Sequence, residues 1–178
     1  MTEADVVRET HEHVQNVQML MAAVVRELVE RSSIHDASKF KEPEFSTFME
    51  FTPKLKGCTY GSDEYKGFLE AMKPALDHHY ANNPHHPEHH GCGIRGMTLM
   101  DLVEMICDGT AATLRHADGD IRRSIEQNQE RFGYSDELKQ ILHNTVSAIR
   151  APRPVTTSPG CGSGRVSERA SRDTEGGE

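Results

Sequence analysis

Adjacent histidine and aspartate residues and a histidine-rich segment are the parts of this chain best suited to chemistry. His35 and Asp36 stand side by side, and six of the eleven histidines fall within residues 78–90. A neutral imidazole offers a nitrogen lone pair and a carboxylate offers charged oxygens, and divalent transition metals bind both. The pattern therefore favours a small helical metalloenzyme.

Four residues far apart in the chain could supply one metal site: His13, His35, Asp36 and Asp108. Two imidazoles and two carboxylates leave coordination positions open for water and substrate, which catalysis requires. His11 competes with His13, because the apolar periodicity of their helix does not decide which of the two points inward. On one helix, His35 and Asp36 would point about 100° apart, so they would hold one ion between them or two neighbouring ions.

Asp108 is an unusual residue for its position, because it follows Met105 and Ile106 inside a predicted helix. A carboxylate there is unfavourable by helix propensity and by burial unless a partner compensates it. Glu104 lies one turn earlier on the same face and could orient a ligand from behind the metal. Asp101 is explained more simply as a helix cap.

The segment between residues 81 and 96 contains three glycines and two prolines, so it cannot form a regular helix. We predict a long, histidine-bearing loop, and long ordered loops are usually functional. A further ion would be held by His79, His86 and His89, with the choice inside each His-His pair left open. The alternative is a surface tract that binds metal adventitiously.

Helical patterning dominates the chain and predicts an all-α fold, a compact helical bundle with a long histidine-rich loop. Apolar residues at three- and four-residue steps predict an amphipathic helix over about residues 4–31, which Ser32 and Ser33 interrupt. A second helix would carry His35 and Asp36 towards residue 41. Further helices are expected from Pro43, over 62–79 with a kink or break at Pro74, and over 98–116, 118–131 and 136–150.

Length and composition indicate one domain, residues 1–150, followed by a tail at 151–178. We predict that the tail is disordered, because it is rich in Pro, Ser, Gly and Arg and almost without apolar residues. The four cysteines form no C-x-x-C pair, which favours free thiols. No apolar run reaches the ~18 residues of a membrane span and no signal-peptide pattern is present, so we expect no membrane association and a cytoplasmic location.

The formal net charge is −8, and the tail contributes none of it. Such a surface repels a phosphate backbone and argues against binding of duplex nucleic acid. A small phosphorylated substrate remains compatible with it, because a bound cation can reverse the local field.

His13, His35-Asp36 and Asp108 together resemble the signature of the HD-domain superfamily of metal-dependent phosphohydrolases. Residues 35–39 are similar to the His-Asp-x-Gly-Lys form of its cyclic-dinucleotide phosphodiesterase branch, but the Gly-Tyr-Pro element of that branch is absent, so its substrate does not carry over. Over about residues 10–145 the chain more closely resembles a small uncharacterised HD-like family common in phage and bacterial genomes. The matching segments include Thr10-x-x-His13, His78-His79-Tyr80-x-x-Asn83-x-His85-His86-Pro87-Glu88-His89 and Asp101-Leu102-x-Glu104-Met105-x-x-Asp108.

The resemblance implies an HD-type fold and a metal-dependent phosphohydrolase that acts on a small nucleotide or another phosphate ester through a metal-activated water. One or two divalent ions are expected, with Mn, Fe, Co, Zn, Ni and Mg not distinguished. Lys39 could meet a phosphate oxygen as a point charge, and Glu88 could act as general base or orient a ligand. Two alternatives stay open: an HD-type di-iron oxygenase, and a non-enzymatic, metal-stabilised nucleotide-binding or interaction protein. The oligomeric state is not predicted.

Overall fold

The computed structural model describes residues 1–58, 62–115 and 119–149, and all regular secondary structure within them is helical. The prediction of an all-α fold is therefore confirmed. The α-helices of the described residues are α1 Glu3–Ile34, α2 Glu44–Gly57, α3 Asp63–Ala71, α4 Lys73–Asn82, α5 Leu99–Thr113, α6 Ile121–Phe132 and α7 Asp136–Ala148. The tail predicted to be disordered, 151–178, lies outside the described residues.

α1 is longer than its sequence pattern predicts. It begins at a capping box, in which the Thr2 hydroxyl accepts from the backbone N–H of Asp5 and the Asp5 carboxylate accepts from that of Thr2. The predicted interruption at Ser32 and Ser33 is wrong, and the helix ends at Ile34. Each serine hydroxyl donates to a carbonyl one turn earlier, at 2.7 and 2.6 Å, so its polar group is satisfied inside the helix.

The predicted second helix through His35 and Asp36 is also wrong. Asp36 has φ 56°, in the left-handed region, which a short polar side chain tolerates better than most others do. A four-residue 3-10 turn, Ala37–Phe40, then leads towards α2. Because the chain turns at this point, His35 and Asp36 are not held about 100° apart on one helix and can face the same cluster.

Prolines mark the helix boundaries of the middle of the chain. Pro43 precedes α2 as predicted, and α2 continues through Pro53 to Gly57. The predicted break near Pro74 is confirmed, because α3 and α4 are separated at Met72. Pro74 lies in the first turn of α4, where its missing N–H has no helical partner to lose.

The segment between α4 and α5 contains no α-helix, which agrees with the predicted loop. Two short 3-10 turns shape it, at Pro87–His89 and Gly93–Gly96. α5 opens with the predicted capping box, in which the Asp101 carboxylate accepts from the Thr98 N–H at 2.7 Å and the Thr98 hydroxyl accepts from the Asp101 N–H at 3.2 Å. The N-terminal end of α5 is thereby set where it can meet the end of α1.

The apolar core lies between α5, α6 and α7. Its buried members are Ile106, Ile125, Tyr134 and Leu142. The Tyr134 hydroxyl donates to the carbonyl of Ile125 at 2.5 Å, so the one polar group of this set is satisfied. α5 therefore packs into the core through one side and turns its acidic residues towards the histidines. None of the described helices is both long and apolar enough to cross a membrane.

Candidate metal centre

Four side chains from three parts of the chain converge on one point. Asp36 comes from the turn after α1, His79 from α4, and His85 and His86 from the loop after α4. One ligand atom from each lies within 4.8 Å of the others, so the group could hold a metal ion. His79 and His85 are 2% and 1% exposed, which places this point inside the protein. We call these residues the four-donor group.

The distances within the four-donor group match those between ligands of one ion. His79 Nε2 lies 3.0 Å from His86 Nε2 and 3.2 Å from Asp36 Oδ1. His85 Nε2 lies 3.6 Å from the same Asp36 oxygen. Nitrogen and oxygen ligands about 2.1 Å from a tetrahedral ion are about 3.4 Å from one another. The four donors therefore fit one divalent ion with small adjustments.

Three atoms of the four-donor group are buried without a hydrogen-bond partner, and two of them, Asp36 Oδ1 and His85 Nε2, lie 3.6 Å apart. An unsatisfied buried polar atom costs about 1–3 kcal/mol, and more when it is charged. A cation between these two atoms would remove that cost. This pair of unsatisfied ligand atoms is the best indication that the residues fit a metal ion.

A second group adjoins the first and shares His85 with it: His35, His85 and Asp108. His35 Nε2 lies 3.7 Å from Asp108 Oδ1 and 3.5 Å from Asp36 Oδ2. The Asp36 carboxylate therefore presents one oxygen to each group. Because one imidazole nitrogen binds one ion, His85 can complete either group at a given moment but not both.

Glu44 orients the most buried histidine of α4 from behind. It is fully buried, and its Oε2 accepts from Nδ1 of His79 at 2.9 Å while Oε1 accepts from Nδ1 of His78 at 2.7 Å. With its proton on Nδ1, His79 keeps the Nε2 lone pair for a metal. Ser38 donates to the Glu44 carboxylate at 3.0 Å, and Asn83 donates to Ser38 at 2.8 Å, which extends the supporting network.

Glu104 has the corresponding position in the second group. Its Oε1 accepts from Nδ1 of His35 at 2.8 Å and lies 3.2 Å from Nδ1 of His85. Its other oxygen accepts from Arg31 at 2.9 Å, and the same guanidinium pairs with Asp101 at 2.7 Å. Arg31 thus joins the end of α1 to α5 and holds Glu104 beside His35 and His85.

Burial and mutual proximity keep the loop histidines neutral. Burial, together with the neighbouring His85 and His79, lowers the pKa of His86 to about 3. Burial also lowers the pKa of His85. Burial alone would raise the pKa of Asp36, but the adjacent His79 imidazole and the ammonium of Lys39 hold that pKa well below its usual range. Neutral imidazoles beside an ionised carboxylate are the protonation states that a metal ion requires.

Lys39 lies at the edge of the centre. Its Nζ is 2.5 Å from Asp36 Oδ2, and its side chain is 34% exposed. An ion in the second group would compete with this ammonium for Oδ2, whereas the four-donor group uses Oδ1. The four-donor group is therefore the stronger metal position in this arrangement.

A cavity of about 320 Å³ adjoins His35 and Asp108. Most of the accessible area of its wall is apolar, and Leu28, Val103 and Ala111 are among its apolar residues. Five of its nine lining residues are polar or charged, including Arg31 and Glu104. This volume is at the lower end of the range typical of small-molecule sites. A small organic group could therefore reach the second group from between α1 and α5.

Two predicted ligands and one predicted base lie outside both groups. His13 is exposed in the first third of α1, and the helix between it and Ile34, the end that reaches the centre, is about 30 Å long. His89 is exposed, and its Nδ1 donates to the carbonyl of Tyr80 at 3.1 Å. Glu88 pairs with Arg131 of α6 at 2.6 Å. The structure thus brings five of the seven predicted ligands together, whereas His13 and His89 lie outside both groups.

His85 and Glu44 belong to the centre although neither was a predicted site residue. The prediction took one histidine from each pair, as is reasonable where neighbouring side chains diverge in a regular element. Here the chain turns, with the His86 N–H donating to the Asn83 carbonyl at 3.1 Å, and the rings of His85 and His86 are 4.1 Å apart. For Glu44, its place at a helix start has a sufficient explanation in the helix dipole, so no functional signal was visible.

Replacing Glu44 by glutamine is expected to weaken metal binding about 10- to 100-fold while leaving all ligands in place. The amide offers one acceptor oxygen instead of two, so His78 and His79 can no longer both donate to it. Affinity is measured by competition with a chelator of known strength. Glu88→Gln is the matched control, because Glu88 lies outside both groups, and equal affinities for the two variants would refute the role of Glu44.

A family model described as a family of unknown function, DUF5662, matches residues 2–149. The match covers nearly all of the residues that the structure describes. No curated protein and no solved structure matches the chain. Any function must therefore be argued from the chemistry of the site itself.

Proposed function

The chain belongs to the family of unknown function DUF5662, and we propose that it is a metal-dependent phosphohydrolase acting on a small nucleotide or another phosphate ester. The observation that carries the proposal is the pair of buried, unpaired ligand atoms, Asp36 Oδ1 and His85 Nε2, within a set of histidines and carboxylates. The resemblance of the sequence to the HD-domain superfamily supports the same reaction class.

The two groups would serve two ions of unequal affinity. The four-donor group would hold the first ion, and His35 with Asp108 would hold the second, with the carboxylate of Asp36 between them. A donor set this rich in imidazole suits Mn, Fe, Co, Ni or Zn better than Mg, which prefers oxygen ligands. Between one and two equivalents of a transition metal are therefore expected.

A bound divalent ion would lower the pKa of a water from roughly 16 to about 7 and so supply the nucleophile near neutral pH. The residues of the chain contribute position and charge. Glu44 and Glu104 keep the histidine rings fixed as charge develops on the phosphoryl group. Lys39 can turn from Asp36 to a phosphate oxygen, because a third of its side chain is already exposed.

The cavity between α1 and α5 would receive the organic part of the substrate. Its apolar wall lies beside His35 and Asp108, so a base or a group of similar size could rest there while the phosphate meets the metal side. A cavity of about 320 Å³ suits a monomeric substrate better than a polymer. The net charge of −8 favours the same conclusion, since an acidic surface repels duplex nucleic acid.

The test is hydrolysis by protein that is purified without a histidine tag and reconstituted with each metal in turn. We expect release of phosphate or nucleoside from at least one nucleoside mono- or triphosphate, at about 1 s⁻¹ or faster, and no cleavage of duplex DNA. His79→Ala should abolish turnover, whereas His89→Ala should retain it because His89 lies outside both groups. Absence of turnover in protein that holds stoichiometric metal, or rapid cleavage of duplex DNA, would overturn the proposal.

A di-iron oxygenase is the second candidate, and the apolar wall of the cavity favours it. Leu28, Val103 and Ala111 suit an organic substrate without a phosphate group, and histidine with carboxylate ligands also suits iron. Iron content, an ultraviolet–visible absorption band and oxygen consumption distinguish the two reactions. Oxygen uptake with bound iron and without phosphate release would favour the oxygenase.

A further inference from the structure

α1 carries an apolar face that no described residue buries. None of its residues is buried, and the large apolar side chains along its first three quarters range from 39% exposed at Val17 to 70% at Leu20. Most of them recur at three- and four-residue steps and so share one side of the helix. This α1 stripe consists of Val7, Thr10, Val14, Val17, Met21 and Val24, with Leu20 and Val25 at its edges.

The α1 stripe is a continuation of the face that already packs inside the chain. Three- and four-residue steps lead from Val24 to Leu28, Arg31 and His35, which meet α5 and the metal centre. The acidic residues Asp5, Glu9 and Glu12 fall on the opposite side, whereas Glu3 extends the line of the stripe and Glu27 lies at its edge, paired with Arg31 at 3.0 Å. A continuous apolar face of this length on a folded protein marks an interaction surface.

We propose that the α1 stripes of two copies of this chain pack against each other in antiparallel orientation and form a homodimer. The stripe is complementary to itself in the register where paired residue numbers sum to 31. Val7 then faces Val24 of the second copy, Thr10 faces Met21, and Val14 faces Val17. In each of these pairs, position a of the heptad in one copy faces position d in the other, as in antiparallel helix pairs. In this register Leu28 faces Glu3 of the second copy, and the residues after Leu28 stay free to contact α5.

The charges of α1 favour the antiparallel orientation. Residues 3–13 carry four carboxylates and one guanidinium, that of Arg8. A parallel pair would place two such acidic segments side by side, and like charges in contact are repulsive. In the antiparallel pair each acidic segment lies beside residues 18–28 of the second copy, where Arg26 and Glu27 cancel.

The area of the α1 stripe is large enough for an interface with a second copy of the chain. A stripe over residues 4–27 is about 36 Å long on a helix about 11 Å across, which gives on the order of 600 Å² of accessible surface per copy. Two copies would bury on the order of 1,200 Å², the lower bound of specific interfaces. Residues 150–178 contain only Val155 and Val166 as large apolar residues, so their composition offers little apolar surface to match the stripe.

The mass in solution tests the dimer. By light scattering at tens of micromolar protein, the wild type should show twice its 19.9 kDa chain mass. Val17→Glu should show the single chain mass. This substitution places two carboxylates in the apolar interface, which should reduce the dimer affinity at least about 100-fold. Asn16→Glu is the matched control, because it adds the same charge on the polar side and should remain dimeric. A monomeric wild type, or equal dimerisation of the two variants, would overturn the proposal.

Two further measurements separate dimer loss from misfolding and test the orientation. Helical circular dichroism and metal content should be unchanged in Val17→Glu, and if that variant unfolds, the double variant Val14→Ala, Val17→Ala must weaken the dimer while keeping the helix. Oxidation of a mixture of Val7→Cys and Val24→Cys chains should join residue 7 to residue 24 by disulfide, identified by peptide mapping. Cross-links between two copies of residue 7 would show a parallel pair and overturn the register.

Discussion

Replacing Asp36 by alanine is expected to lower the metal content of the purified protein below about one tenth of the wild-type value. Asp36 is a member of the four-donor group, and its Oδ2 lies 3.5 Å from His35 Nε2 of the second group, so its loss removes a ligand from the first group and a neighbouring negative charge from the second. It also removes the only carboxylate of the four-donor group and leaves three neutral imidazoles to hold a dication. Elemental analysis of protein purified without a histidine tag measures the effect.

His13→Ala is the matched control for Asp36→Ala, because the sequence pattern assigns both residues to one site and the structure brings only Asp36 to it. The control should retain the full metal content. His35→Ala should give a metal content between those of Asp36→Ala and His13→Ala, since it affects the second group alone. Full metal content and activity in Asp36→Ala would refute the assignment of the site, and metal loss in His13→Ala would show that α1 takes another course in the metal-bound protein.

Replacing Asp108 by asparagine is expected to lower turnover at least about 100-fold while leaving the stability of the metal-free protein unchanged or slightly higher. The amide keeps the shape of the side chain but loses the charge that holds a cation in the second group. The Asp108 side chain is 31% exposed, so the metal-free protein gains little from its charge. Turnover is measured with reconstituted protein, and unfolding is followed by denaturant titration after chelation.

Asp77→Asn is the matched control for Asp108→Asn, because Asp77 is an exposed carboxylate that pairs with Lys73 on α4. It should change neither turnover nor metal content. The four-donor group is intact in Asp108→Asn, so that variant should still bind about one equivalent of metal. Strong destabilisation of its metal-free form would instead identify Asp108 as a structural hydrogen-bond acceptor.

Local signals in the sequence predicted the helices and their ends well where a few neighbouring residues control the outcome. The cap at Asp101, the start of the last helix at residue 136 and the break near Pro74 each depend on contacts within about four residues, and each is confirmed. The wrong prediction at Ser32 and Ser33 also concerns contacts within about four residues. A serine hydroxyl can end a helix or bond within it, and the pattern does not distinguish the two outcomes.

The composition of the candidate centre was visible in the sequence, but its geometry was not. His35, Asp36, His79, His86 and Asp108 stand out by residue type, because imidazoles and carboxylates in such number are rarely needed for a core. Their meeting depends on contacts between residues more than 40 positions apart, such as that of His79 with Asp36. No local pattern encodes a contact of that separation.

Residue types and short-range spacing were enough to predict an all-α chain with a histidine-bearing loop and a set of side chains that could hold a metal ion. Tertiary packing was needed to select His85 beside His86, to place Glu44 behind His79, and to leave His13 far along α1. The physical reason is that these choices depend on irregular backbone and on long-range contacts. The left-handed turn at Asp36 and the tight turn before His86 have no sequence period, and Glu44 and Glu104 acquire their roles only when separate helices pack together.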